Sequence, residues 1–171
     1  MNFAEWEKAV PKNIRNDSSW KTEVYRLALF LNDIGWRDLT ILMKDRRTIG
    51  LSDQLYRALG SICANIEEGY SRRSKKDQAR FYEYSLGSAR ESRGWYYRGR
   101  HVLGQDVFIH RLQLLTSIVR LLLKLIPQQR GYSIGEKSVS YQTTAKSLQE
   151  DDSINLEELL SSVPFATVKR D

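Results

Sequence analysis

The chain has 171 residues, a net charge of +6 and 41% aliphatic or aromatic residues, which suits one domain with a core of its own. No apolar run approaches the roughly 18 residues that span a bilayer, since the longest, Leu121 to Ile126, is broken by Lys124. The opening "MNFAEWEKAVPKN" places Glu5 and Glu7 among its apolar residues and lacks the plan of a secretion signal. The single cysteine, Cys63, excludes an internal disulfide and suits a reducing, cytoplasmic compartment.

Helical periodicity runs through most of the chain. Residues 1–17 read as an N-terminal arm with a short helix, "FAEWEKAV", stopped by Pro11. Ser18 or Ser19 can cap a first long helix, with an apolar stripe through Trp20, Val24, Leu27, Ala28, Leu31, Ile34, Leu39 and Leu42. After the turn "KDRRTIG", a second presents Leu51, Leu55, Ala58, Leu59, Ile62, Cys63 and Ile66, with Gly69 placed as its C-terminal cap. Ser74 and Asp77 have the spacing of a capping box and open a third helix that Gly104 ends near Leu103. Asp106 caps a fourth, which stops at Pro127. Four long helices joined by short turns over residues 18–130 predict an all-α, antiparallel up-down-up-down four-helix bundle.

Residues 131–171 differ in composition. They hold 4 basic and 7 acidic residues, leaving 23 basic against 14 acidic, a net +9, for residues 1–130. Rich in serine and poor in large apolar residues, this tail reads as mostly flexible. Its exception is an amphipathic segment near 154–163, where Leu156, Leu159, Leu160 and Val163 recur at helical spacing and can dock on the chain's own body or on a partner.

Two of the long helices are apolar around more than one face. Trp95, Tyr96 and Tyr97 are consecutive and fan across about 200° of the helix, and Leu121, Leu122 and Leu123 do the same. A lone surface helix has one apolar stripe, so these residues point to a homo-oligomer. Polar residues also fall in line. Gln54, Arg57, Ser61, Asn65 and Glu68 form one stripe of the second helix, and Arg80, Tyr84, Ser88, Glu91 and Trp95 a matching line on the third. Antiparallel packing would set Glu68 near Arg80 and Arg57 near Glu91. Gly87 and Gly94 suggest that the backbones approach closely there.

The stretch "LSDQLYRALGSICANIEEGYSRRSKKDQARFYEYSLGSARES" resembles the signature of the four-helix-bundle proteins first noticed as reading frames in intervening sequences of bacterial 23S ribosomal RNA genes. The pattern, roughly Q-x-x-R-A-x-x-S-I-x-x-N-I-x-E-G followed by cations and G-S-x-x-E, falls on Gln54, Arg57, Ala58, Ser61, Ile62, Asn65, Ile66, Glu68, Gly69, Arg72, Gly87, Ser88 and Glu91. The resemblance covers residues 20–127 and implies an all-α bundle that assembles as a ring-like homopentamer. It also implies a fold similar to the accessory protein of diversity-generating retroelements, which binds nucleic acid and a reverse transcriptase.

Catalysis is not expected. Glu67 and Glu68 point 100° apart on a helix and form no dyad, and His101 and His110 straddle the Gly104 break with no carboxylate or cysteine cluster beside them. Cys63 lies on an apolar stripe as a small core residue, and no cofactor or metal site is expected. The basic turn is the functional candidate. Arg72, Arg73, Lys75, Lys76 and Arg80 are five cations among nine residues, and Arg90, Arg93, Arg98, Arg100 and His101 extend the charge. Tyr70 and Tyr82 flank the turn and can stack on unpaired bases, so RNA or DNA is the expected partner. The alternative is a protein–protein adaptor or scaffold that displays its C-terminal tail to partners. No membrane partner is expected.

Overall fold

The structure, a computed structural model, describes residues 2–130 and 154–166. Every regular element among these residues is helical: α1 (Phe3–Ala9), α2 (Lys12–Arg15), a 3-10 turn (Ser18–Lys21), α3 (Glu23–Leu42), α4 (Ile49–Tyr70), α5 (Lys75–Leu103), α6 (Gln105–Arg130) and α7 (Leu156–Ser161). The long helices α3 to α6 follow one another through short turns and pack as an antiparallel bundle. Their apolar stripes meet at Phe30, Leu31, Ile34 and Leu42 of α3, Leu55, Ile62 and Ile66 of α4, and Leu114, Leu115, Ile118 and Leu122 of α6, all fully buried.

Contact between the helices is uneven. α4 packs along α5, and α5 along α6, over much of their length, whereas α3 and α6 meet over a short stretch. α1 contacts α3, α7 contacts α6, and the two short helices touch each other, so together they bridge the side where the bundle is least closed. Aromatic packing fixes α1: the Trp6 ring lies 5.4 Å from Phe3, 6.0 Å from Trp20 and 5.2 Å from Phe30, and its indole N–H donates to Asp33.

The helix ends partly match the expectations. The Ser74 hydroxyl accepts from the Asp77 N–H at 3.3 Å and opens α5, and Gly104, at φ 87°, closes it in a conformation that a side chain would strain. Other ends are corrected. Asp17, rather than Ser18 or Ser19, caps the turn before α3, and Asp106 lies within the first turn of α6, after its start at Gln105. Pro127 does not stop α6, which continues to Arg130. Proline removes one N–H, and so near the C-terminus, the loss is confined to the final turns, while Arg130 pairs with Glu83 of α5.

Glycine positions are corrected too. Gly69 is not the cap of α4, because the helix runs on to Tyr70 and Ser71 takes that place. A β-carbon on Gly69 would meet the Phe81 Cβ at 3.0 Å, the Tyr82 ring at 3.2 Å and the Gln78 carbonyl at 3.3 Å, so its missing side chain lets α5 turn back closely onto α4. Gly87 and Gly94, expected to mark close approach, have open space above them within the chain.

Candidate nucleic-acid interface and a buried polar network

The turn between α4 and α5 is held at both ends, by the close Gly69 contact and by the Ser74 cap, and its cations project from it. Arg72, Arg73, Lys75 and Lys76 are exposed. Arg72 pairs with Glu68 one helical turn back and lies 4.9 Å over the Phe81 ring, so its charge is partly spent. Arg73, Lys75 and Lys76 have no ion-pair partner among the described residues. Arg80, one turn into α5, donates to the Tyr84 hydroxyl at 3.0 Å.

The two tyrosines differ from expectation. Tyr82 is 2% exposed and packs under α4, so it cannot stack on a base. Tyr70 is half-buried and lines a polar cavity of about 360 Å³ with Asn13, Asp17, Tyr25 and Glu67, where the Tyr25 hydroxyl donates to Glu67 at 2.6 Å. Sequence reasoning missed the aromatic surface that α5 does expose. Tyr97 is 54% exposed and lines a groove of about 410 Å³ with Arg90, Arg93, Gly94 and Leu112. The Arg100 guanidinium stacks 3.9 Å over the Tyr97 ring, and Arg98 lies 4.5 Å over Trp95. Consecutive Trp95, Tyr96 and Tyr97 therefore divide into half-buried, fully buried and exposed, and Leu121, Leu122 and Leu123 divide the same way.

The polar line between α4 and α5 meets at its centre, with the Ser61 and Ser88 hydroxyls 2.9 Å apart. Asn65 donates back to the Ser61 carbonyl and hydroxyl, and buried Ser85 donates across to the Ile62 carbonyl at 3.0 Å. Its ends do not join as expected. Glu68 turns to Arg72 instead of Arg80, Arg57 to Asp53 instead of Glu91, and Glu91 accepts from the Trp95 indole at 3.1 Å. Gln54, Arg57, Glu68, Arg80 and Glu91 are all exposed, where a partner four residues away in sequence is nearer than one across the seam.

The buried polar contacts lie elsewhere, at positions that the reading of stripes passed over. Asp38 of α3 and Arg111 of α6 form an ion pair at 2.8 Å with both side chains out of solvent, and the Tyr96 hydroxyl donates to the same carboxylate at 2.9 Å. Burial pushes the Asp38 carboxyl up, while Arg111 and Tyr96 pull it back towards ionisation. Arg111 also reaches His110 Nδ1 at 2.8 Å. A guanidinium can only donate, so Nδ1 accepts, Nε2 carries the ring proton, and it donates to the Leu159 carbonyl at 2.9 Å. Burial and the neighbouring Arg111 charge hold this imidazole down at about 4, neutral at ordinary pH. Its one trace in the sequence is a polar residue set among apolar ones: Ile34, Asp38 and Leu42 share one face, as do Val107, His110, Arg111 and Leu114.

The comparisons with known proteins agree with this architecture. No curated protein matches the chain. A crystal structure from Bacteroides thetaiotaomicron VPI-5482, described as a protein with unknown function from the S23 ribosomal protein family, is similar in fold. It has 22% identity and a TM-score of 0.57, over 61% of this chain and 98% of that one. The family model for the 23S rRNA-intervening sequence protein matches residues 21–124, which span α3, α4, α5 and most of α6. The chain belongs to the family of 23S rRNA-intervening sequence proteins.

Proposed function

We propose that this protein is a non-enzymatic, homo-oligomeric accessory protein of the cytoplasm that binds single-stranded RNA with little sequence preference. The observation that carries this reading is the placement of Arg73, Lys75 and Lys76, exposed and without acidic partners among the described residues, on a body of net charge +9. Arg90, Arg93 and the Arg100–Tyr97 stack give α5 further phosphate and base contacts, and the family is described by its relation to 23S rRNA. An oligomer would multiply a weak site.

Two further observations support the parts of the reading. Trp36, Met43, Ile49 and Tyr56, each at least half exposed, line an apolar groove of about 380 Å³ between α3 and α4, a surface that a second copy would cover. Three groups that could do nucleophilic or acid–base work are otherwise engaged: burial pushes the Cys63 thiol up to about 12, Glu67 accepts from Tyr25, and His110 is tied to Arg111 and Leu159. The adaptor alternative, in which the tail is offered to partners, is less well supported because Leu159 is spent on the chain's own body. Electrophoretic shifts of unrelated RNA oligomers by wild type and by a variant with Arg72, Arg73, Lys75 and Lys76 all changed to Ser test the proposal. Loss of affinity at every sequence alike is expected, and unchanged affinity in the variant would reject the basic turn as the site.

A further inference from the structure

The segment 154–166 occupies a cleft over α6 and α1 in the manner of a bound peptide. Leu159 is buried, and Ile154, Leu156, Leu160, Val163 and Phe165 pack against the core. The polar contacts made to it by α6 go to main-chain carbonyls: His110 donates to the Leu159 carbonyl, and Arg111 to the Pro164 carbonyl at 3.0 Å. The Phe165 ring lies 4.4 Å from the Arg37 guanidinium and 5.7 Å from that of Arg111. Recognition therefore rests on an apolar face centred on Leu159, two main-chain carbonyls and one aromatic ring after a proline.

This cleft can release its occupant without leaving a stranded charge. Arg111 keeps two hydrogen bonds to Asp38 and one to His110 when the Pro164 carbonyl leaves, and His110 Nε2 can turn to water. The occupant itself is slight. α7 has six residues, with Leu159 its buried member, and 23 residues (131–153) connect the segment to α6.

We propose that the cleft is a peptide-binding site, and that residues 154–166 are its resident, displaceable ligand. The external partner it fits is a linear segment with a leucine on one helical turn, followed by an extended proline–aromatic pair. The polar contacts go to backbone carbonyls, so the exposed Ser161 and Ser162 between those anchors are free to vary, whereas Leu160 and Val163, which pack against the core, call for apolar residues. The resident segment competes because its connection keeps it at an effective concentration on the order of 1 mM. A partner must then exceed it in affinity or arrive in several copies.

The test uses the full chain and a fluorescein-labelled synthetic peptide of the sequence INLEELLSSVPFA, corresponding to residues 154–166. A release variant, Leu159→Ser with Phe165→Ala, should bind this probe at least about tenfold more tightly than wild type by anisotropy, because the tethered competitor is gone. Adding His110→Phe to the release variant removes a carbonyl donor and should weaken that binding. Thermal unfolding of the release variant should stay cooperative. Equal binding by wild type and release variant, or binding by neither, would overturn the proposal. So would loss of cooperative unfolding, which would make the segment an integral part of the fold.

Discussion

Replacing Arg111 with Met removes the cation from a pair in which neither side chain reaches solvent, and leaves Asp38 with the Tyr96 hydroxyl as a remaining partner. Breaking a buried pair in this way costs about 3–5 kcal/mol, because the surviving charge must stay uncompensated or take up a proton. In a chain of this length each kcal/mol lowers the melting temperature by roughly 2–4 °C, so Arg111→Met should melt about 6–20 °C below wild type. Asp38→Leu should cost a similar amount, since it strands Arg111. The double variant, with both charges gone and apolar groups of similar volume in place, should recover at least about 2 kcal/mol relative to the sum. Urea unfolding followed by circular dichroism gives all four corners of this cycle. Single variants within about 1 kcal/mol of wild type, or losses that simply add, would refute the view that this pair is a desolvated, coupled unit.

Glu68 is half exposed and paired with its neighbour Arg72, so Glu68→Ala should change stability by no more than about 0.5 kcal/mol in denaturant unfolding. Gly69→Ala forces a β-carbon against Phe81, Tyr82 and the Gln78 carbonyl, and a net loss of about 1–2 kcal/mol is expected after the gain in helix propensity. Gly87→Ala meets open space and should gain up to about 1 kcal/mol; a loss would show that another surface packs on that face. His110, held at about 4 when folded against an ordinary value of 6.5, binds more protons in the unfolded chain between those pH values. The His110 contribution should therefore fall by roughly 3 kcal/mol as pH drops through that window and level off below it, and His110→Gln should flatten the slope there. Asp38, pushed up by burial, has the opposite sign, so the difference between the two proteins isolates the imidazole.

The bundle was legible because its signals are local and redundant. The stripes of α3 and α4, the Ser74 cap and the Gly104 break each follow from residues within one helical turn of one another. Side-chain partners across helices were not. The register allows Glu68 and Arg80 to meet, yet an exposed carboxylate takes the guanidinium four residues on, in the turn just past its own helix. Tyr82 reads as a flank of the basic turn in one dimension, but the absence of a side chain at Gly69 draws α5 in and buries that ring. The Asp38–Arg111–His110 network joins residues up to 73 positions apart, and each member interrupts an apolar stripe in a way that periodicity treats as noise. Docking of the segment near 154–163 on the chain's own body is one of the two options that its leucine spacing offers. The Pro164 carbonyl and the Phe165 ring that complete it carry no helical signal, so their part in it was not visible.

The slope of log affinity against log salt concentration for single-stranded RNA tests the central claim most directly, in wild type and in the variant with Arg72, Arg73, Lys75 and Lys76 changed to Ser. Single strands contribute about 0.7 to that slope for each phosphate neutralised, so losing Arg73, Lys75 and Lys76, with Arg72 partly spent on Glu68, should flatten it by about 2 to 3 and weaken binding at every sequence alike. Identical slopes for the two proteins, or no binding by wild type at low salt, would contradict the account.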